Sequence, residues 1–221
     1  MGSLADEVLA WLSGPGLLIA GAVCLLGVGL RLFEILAPGR APDLAPAREV
    51  TPGSGLRTIW TRSFPPQGML TRWPVTYVGG YVFHVGLLVV LILAVPHVAV
   101  VRDLAGIGWP GLPMPVIDAT ALASIVALVA VMVDRLRNRV KRFLSRFGDY
   151  LAWTLTLLPL MTGYATHHEL LLDYTSLLSL HIASAEIFIM ALPFTRLAHA
   201  FTLFVARWYN GDISARKGVA S

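Results

Sequence analysis

The sequence predicts an all-α membrane protein built as one bundle of five transmembrane helices. The chain has 221 residues, of which 56% are hydrophobic and 14% are charged, whereas a soluble domain carries about 25% charged residues. Five apolar stretches approach the roughly 20 residues that a helix needs to cross about 30 Å of hydrocarbon. The single cysteine, Cys24, excludes an internal disulfide and a cysteine-ligated iron–sulfur cluster.

The five predicted spans form a single domain without an internal repeat. They cover residues 15–37, 75–101, 116–133, 150–166 and 174–204. Pro38, Pro74, Pro110 and Pro113 mark the connections, because proline disfavours continuation of a helix. The leader before the first span is acidic rather than basic, so we expect a retained span rather than a cleaved signal peptide. The fifth stretch exceeds one span and is expected to tilt or to extend into the cytoplasm.

The 17 Lys and Arg residues are distributed very unevenly along the chain. All except Arg102 lie in or beside the connections after spans one, three and five. The positive-inside rule therefore predicts an outer N-terminus and a cytoplasmic C-terminus. This topology explains the basic charge, so no nucleic-acid partner is needed. The connection 38–73 is rich in Pro, Gly and Arg and is predicted to be irregular. It either drapes over a cytoplasmic partner or is a solvated connector held by lipid headgroups.

Four histidines lie at membrane depth, His84 and His97 on the second span and His181 and His199 on the fifth. Imidazole is costly in lipid and is retained there with a partner, usually a proton path or a metal. The two spans run antiparallel, so His84 is expected beside His199 and His97 beside His181. Two such pairs, one above the other, predict two bis-histidine iron sites of the kind that hold b-type haems.

Helix geometry favours this pairing more clearly on the fifth span than on the second. His181 and His199 are eighteen residues apart, which gives about 27 Å of rise and five whole turns, so both are expected on one face. His84 and His97 are thirteen residues apart, about 20 Å, and differ by about 140° on an ideal helix. Pro96 is expected to kink or unwind the backbone there. Small residues flank both pairs and suit either a flat macrocycle or plain helix packing: Gly79, Gly80, Gly86, Ala183, Ser184, Ala198 and Ala200.

The residues 83–88 around His84, and the motif Leu-Pro-Phe-Thr-Arg-Leu-Ala-His that ends at His199, resemble the gamma subunit of respiratory nitrate reductase. That family comprises five-span di-haem cytochromes b that oxidise quinol and pass electrons inward. The resemblance runs from about the second span to the C-terminus. It implies that His84, His181 and His199 are haem ligands.

The fourth ligand departs from the nitrate reductase pattern. In that subunit the second histidine of the helix comes earlier, where this chain has Ala94, so His97 takes the role. This spacing and the Trp109-Pro110 loop look more like the membrane cytochromes b that work with heterodisulfide-reductase-type iron–sulfur proteins. The resemblance implies two haem b groups, a quinone (menaquinone or ubiquinone), and a cytoplasmic iron–sulfur subunit of heterodisulfide-reductase or nitrate-reductase type. It also implies the cytoplasmic (inner) membrane of a bacterium or archaeon.

A quinone site beside one haem requires groups that exchange protons. On the outer side the candidates are Arg102 and Asp103 after the second span, and His168 and Glu169 after the fourth. Either His168 or Glu169 accepts a quinol proton, or the turn that carries them is simply solvated. Glu186, at membrane depth, is a proton relay, a partner of a haem propionate or ligand, or a carboxyl satisfied by a neighbouring residue.

Three functions fit these residues. The first is an electron-transfer subunit between a quinone pool and a cytoplasmic iron–sulfur partner, without a substrate-reducing site of its own, because the sequence has no pterin, cluster or flavin motif. The second is a histidine-lined transporter or metal-ion channel, although the paired halves and broken helices common in transporters are not evident in the sequence. The third is a structural anchor in which haem only stabilises the bundle.

Overall fold

The computed structural model describes residues 4–39 and 53–219, and within these ranges it contains helices and no β-strand. Four helices are long and apolar enough to cross a membrane: Leu4–Leu36, Pro74–Leu93, Met114–Arg137 and Tyr174–Phe194. The predicted all-α class and transmembrane character are therefore confirmed.

The first helix is continuous but changes its winding near its beginning. It consists of α1 (Leu4–Trp11), a π-helical segment (Leu12–Gly16) and α2 (Leu17–Leu36). Pro15 lies inside the π segment, where its missing N–H interrupts the regular ladder of hydrogen bonds. The helix begins at Leu4, before the predicted start of the span at residue 15, because the proline widens the helix locally instead of beginning it.

Nine further helices follow in the described part of the chain. They are α3 (Ser54–Thr61), α4 (Met69–Arg72), α5 (Pro74–Leu93), α6 (Val95–Ala105), α7 (Met114–Arg137), α8 (Arg139–Leu144), α9 (Phe147–His167), α10 (Tyr174–Ala191) and α11 (His199–Arg216).

Part of the connection that was predicted to be irregular is helical. Helix α3 packs closely against α11, with Gly211 against the fully buried Thr58 and Gly55 against Trp208. Small residues allow two helix backbones to approach each other in this way. The prediction of an irregular loop was therefore wrong for this part, while residues 40–52 lie outside the described ranges.

Both histidine-bearing spans are broken rather than continuous. The expectation that broken helices are absent, which counted against a transporter, was therefore wrong. Ala94 is extended (φ −70°, ψ 128°) between α5 and α6, so the expected kink or unwinding at Pro96 is present. In the fifth span, α10 ends at Ala191 and two short 3₁₀ turns around an extended Thr195 precede α11. The prediction of one helix over 174–204, with His181 and His199 on one face, was therefore wrong.

Local hydrogen bonds explain the second break. Pro193 cannot donate a backbone hydrogen bond, which ends the regular ladder. The Thr195 hydroxyl donates to the Ala191 carbonyl at 2.9 Å and accepts from the Leu197 amide at 3.3 Å. Arg31 of α2 donates to the Pro193 carbonyl at 3.0 Å. The polar groups released at the break are thus taken up by neighbouring side chains.

The fourth predicted span, 150–166, lies within α9. This helix has 21 residues, a length sufficient to cross a membrane. It is less apolar than the four helices named above, because Asp149, Pro159 and several threonines and tyrosines interrupt its sequence. Helix α9 therefore has the length of a membrane span without the high hydropathy of the other four helices.

The helices pack in one order around the bundle. Helix α5 packs on α7, α7 on α9, α9 on α10, and α10 on the first helix. A buried cluster of Phe83, Ala127, Leu128 and Leu160 joins α5, α7 and α9. Among the described residues, α5 and α10 are not a closely packed pair. The two spans that carry the four histidines are therefore not direct neighbours in this order.

The bundle has two ends that the histidines distinguish. Helix α6, the beginnings of α7 and α10 and the C-terminus of α9 lie at one end, which we call the His97 end. Helices α3, α8 and α11 lie at the other, the His199 end.

Candidate functional site

The four membrane-depth histidines form two facing pairs. His84 of α5 faces His199, the first residue of α11, with ring centroids 6.1 Å apart and planes inclined at 76°. His97 of α6 faces His181 of α10, also with centroids 6.1 Å apart, and these planes are nearly parallel at 15°. The structure thus brings together the partners that the antiparallel order of the spans predicts.

The ring separation matches two imidazoles on opposite sides of one metal ion. Two metal–nitrogen bonds of about 2.0–2.1 Å, plus about 1 Å from each ring centre to its nitrogen, give a centroid separation of about 6 Å. Aromatic rings in direct contact have centroids about 4.5–7 Å apart, a range that also contains 6.1 Å. The separation in both pairs therefore fits a metal-bridged pair as well as a direct ring contact.

The hydrogen bonds of the four imidazole rings determine which ring nitrogen has a lone pair free to bind a metal. In every ring Nδ1 lies within hydrogen-bonding distance of a backbone carbonyl oxygen. The distance is 2.7 Å from His84 to Gly80 O, 3.0 Å from His97 to Val90 O, 3.1 Å from His181 to Pro159 O, and 2.7 Å from His199 to Arg196 O. A carbonyl can only accept, so each Nδ1 carries the hydrogen and Nε2 of the neutral ring keeps its lone pair. This is the usual state of a metal-ligating histidine.

The break between α5 and α6 is stabilised by a residue from the following loop. Pro96 has no N–H to offer the Ile92 carbonyl, and the Trp109 indole donates to that carbonyl at 2.8 Å instead. The break allows His97 to leave the direction that a continuous helix would give it. Trp109 therefore acts here as a support of the His97 position.

The ring of His181 is held by α9. Its Nδ1–H also lies 3.3 Å from the hydroxyl of Thr162, which is hydrogen-bonded to Ser184 at 3.0 Å. Gly163 leaves the space that the ring occupies, since a Cβ there would lie 2.9 Å from the His181 ring. These three residues fix the orientation of the His181 ring from its Nδ1 and Cε1 edge.

The position of His199 depends on a charged contact with α9. Its Nδ1–H donates to the backbone carbonyl of Arg196, and the Arg196 guanidinium donates to Asp149 at 2.6 Å. Asp149 also accepts from the Arg146 amide and so begins α9. The carboxylate of Asp149 thus holds the turn that presents His199.

The surroundings of the pairs are compatible with a flat group between the helices. Gly80, one turn before His84, has open space where a side chain would begin. Helices α5 and α10 are not closely packed together, whereas α5–α7 and α9–α10 are. With Nε2 available on all four rings, the residues present fit two metal-centred cofactors of this shape.

The quinone-site candidates do not form one cluster. At the His97 end, His168 Nε2 lies 2.7 Å from Asp118 Oδ1 of α7, and Glu169 follows in a left-handed conformation (φ 49°). Arg102 and Asp103 lie at the end of α6. No hydrogen bond or ion pair in the described ranges joins Arg102 or Asp103 to His168 or Glu169.

Glu186 lies apart from these groups, on the buried side of α10. Its side chain is only 5% exposed, and Oε1 has no hydrogen-bond partner among the described residues. Oε1 lies against Gly16 of the π segment, where a Cβ would be 2.6 Å away, and Trp11 lies beside it. A neighbouring residue does not satisfy the carboxyl, so that explanation of Glu186 was wrong.

Several site residues were not found from the sequence. Asp118, Asp149 and Thr162 act through partners on other helices, and no spacing rule connects such positions. The proline at 159 and the glycine at 163 were visible, but only the fold brings them against His181.

No family model matches the chain. No solved structure matches it. A protein of Nitratidesulfovibrio vulgaris strain Hildenborough, described only as "Protein", is 28% identical over 149 residues. The match covers 67% of this chain and 66% of that protein, so the chain spans just under two thirds of the relative's length. The description of the relative states no activity.

Proposed function

We propose that the chain is the di-haem cytochrome b subunit of a respiratory oxidoreductase and transfers electrons between a membrane quinone pool and a cytoplasmic iron–sulfur partner. His84 and His199 hold one haem b, and His97 and His181 hold the other. The observation that carries this proposal is the pair of equal 6.1 Å ring separations, with all four Nδ1 atoms bonded to carbonyls.

The proposal treats α9 as a fifth membrane span beside the four more apolar helices. Its 21 residues are long enough, and it packs between α7 and α10. The distribution of Lys and Arg assigns the His199 end to the cytoplasm and the His97 end to the outer side. The two histidine pairs then lie one towards each face of a bacterial or archaeal cytoplasmic membrane.

The haems supply one-electron transfer when bound. The contribution of the protein is to hold each imidazole in one tautomer and one direction. Carbonyls of Gly80, Val90, Pro159 and Arg196 accept the Nδ1–H groups and direct every Nε2 away from its own backbone. The two breaks, at Ala94 and Thr195, allow histidines with unequal spacings to face each other.

Quinol is oxidised at the His97 end in this proposal. His168 accepts a proton from the quinol hydroxyl, and Asp118 stabilises the imidazolium that forms, since the two groups are 2.7 Å apart. Glu169 is the alternative acceptor, and Arg102 and Asp103 line the same end. Protons leave on the outer side while electrons move inward, which generates membrane potential.

Glu186 is proposed to exchange a proton in step with electron transfer. A buried carboxylate without a partner costs several kcal/mol, and ionisable residues within spans are usually functional. The helix α10 that carries Glu186 also carries His181, five residues earlier. Proton binding by Glu186 would offset the negative charge of an added electron nearby.

The partner is proposed to be an iron–sulfur subunit of heterodisulfide-reductase or nitrate-reductase type, docked at the His199 end. The resemblance around His84 and His199 supports this partner class. The cationic side chains of that end supply a surface for an acidic partner: Arg57, Arg62, Arg137, Arg139 and Arg142.

A quinol-driven reduction experiment tests the proposal. Oxidised protein in detergent is mixed with a menaquinol or ubiquinol analogue, and the haem α-band is followed by stopped-flow absorbance. We expect rapid reduction in the wild-type protein, and slower reduction with unchanged haem content in His168→Ala. A haem-containing protein that dithionite reduces but neither quinol reduces would support the anchor function instead, and a colourless protein would contradict haem binding altogether.

A further inference from the structure

A second group of potential metal ligands lies at the His97 end, outside the two imidazole pairs. Asp118 belongs to the first turns of α7, His167 is the last residue of α9, and His168 follows it. One ligand atom from each of the three side chains lies within 4.8 Å of the other two. His168 Nε2 and Asp118 Oδ1 are already in contact at 2.7 Å.

We propose that Asp118, His167 and His168 bind a divalent transition-metal ion of the Zn²⁺ class. Two imidazole nitrogens and one carboxylate oxygen form a donor set that zinc commonly takes, with water completing four-coordination at about 2.0–2.2 Å. Ca²⁺ and Mg²⁺ prefer oxygen donors alone, so the two imidazoles disfavour them. The chemistry of the three side chains therefore selects the class of ion.

The three ligands come from parts of the fold that are held in place. The ring of Tyr164 lies 4.5 Å from the ring of His168, and the His168 amide donates to the Tyr164 carbonyl. Asp118 lies on α7, which packs directly against α9. One ion would take the place of the direct contact between His168 and Asp118.

The cluster is also accessible to an ion from water. The side chains of His168 and Asp118 are 36% and 27% exposed. The Nε2–H of His168 donates to the carboxylate, so Nδ1 keeps the lone pair of the neutral ring. A neutral imidazole has a single lone pair, so a zinc ion bound to His168 would occupy the lone pair that accepts the quinol proton. This consequence rests on the proposed function, whereas zinc binding itself does not.

Zinc binding is measured directly on the purified full-length chain, free of any polyhistidine tag. Equilibrium dialysis against Zn²⁺ at pH 7.5, followed by metal analysis, is expected to give about one ion per chain. Asp118→Ala and His167→Ala are each expected to weaken binding about tenfold or more, an effect at least as large as that of losing an outer-shell partner. The matched control is Asp173→Asn, at the same end but outside the cluster, which should bind as the wild type does.

The outcomes separate this inference from the proposed function. Wild-type protein that binds no Zn²⁺, or variants that bind as tightly as the wild type, would overturn the metal site even if quinol reduces the haems. Helix content from circular dichroism identifies a variant that fails to fold, and His167→Asn then replaces His167→Ala. Zn²⁺ should also slow quinol-driven haem reduction, and His167→Ala should lose that sensitivity. Zinc binding without such inhibition would support the metal site and contradict His168 as the proton acceptor.

Discussion

On the proposed haem assignment, replacing Gly163 by alanine is expected to disturb only the haem assigned to His97 and His181. A Cβ at position 163 would lie 2.9 Å from Cε1 and 3.1 Å from Nδ1 of the His181 ring. Ordinary carbon contacts are about 3.5–4.0 Å, so the ring must move by roughly 0.5–1 Å. Metal-binding groups are held to about 0.5 Å of their working geometry. The displacement is therefore large enough to weaken one ligand bond.

The assay counts haem b per chain by the pyridine haemochrome method and records reduced-minus-oxidised spectra. Gly163→Ala should fall from two haems towards one, with the remaining α-band belonging to the His84–His199 pair. Gly21→Ala is the matched control, because its Cβ meets nothing within 4 Å. Two haems with unchanged spectra in Gly163→Ala would refute the geometric reasoning.

Three further results are expected. The amide and hydroxyl of Ser176 lower the pKa of the Asp173 carboxyl. Asp173 is the N-cap of α10. Its carboxylate therefore stabilises this helix at pH values above the unfolded pKa of about 3.9. The stabilisation is lost as the pH falls through the lower pKa of the folded state. The melting temperature measured from pH 7 to pH 3 should depend less on pH in Asp173→Asn than in the wild-type protein. Equal dependence in the two proteins would contradict this. Gly211→Ala would bring a Cβ within 2.7 Å of the Thr58 Cβ and should destabilise α3–α11 packing by about 1–3 kcal/mol, measured by chemical denaturation; an unchanged midpoint would argue against that packing. Glu186→Gln should make the haem midpoint potential less dependent on pH in redox titrations, and an identical dependence would exclude a linked proton at this residue.

The sequence was sufficient to predict which histidines face each other. Their order along two antiparallel spans determines the pairs, and this order does not depend on the local shape of either helix. The pairs His84–His199 and His97–His181 therefore follow even though the detailed geometry expected for the fifth span was wrong.

The breaks themselves were only partly predictable. Pro96 indicated a disturbance beside His97, and the structure has one at Ala94. Pro193 is a residue of the same kind, but the apolar composition around it led to the prediction of one long helix. Hydropathy measures the preference for lipid and is insensitive to the hydrogen bonds that end a helix.

Contacts between residues far apart in the chain could not be predicted from the sequence. The pairing of Asp118 with His168, and of Asp149 with Arg196, depends on how α7, α9 and α10 pack. The same holds for Gly16, whose missing side chain accommodates Glu186. None of these contacts leaves a periodic or spacing signal.

The most direct test of the central claim is the haem b content of matched histidine variants. The wild-type chain and the control His167→Ala should each contain two haems per chain. His84→Ala, His199→Ala and the double variant of both should each retain one haem with the same spectrum, while His97→Ala combined with His199→Ala should retain none. A colourless wild-type protein, or a folded single variant that loses both haems or neither, would contradict the assignment of the two imidazole pairs.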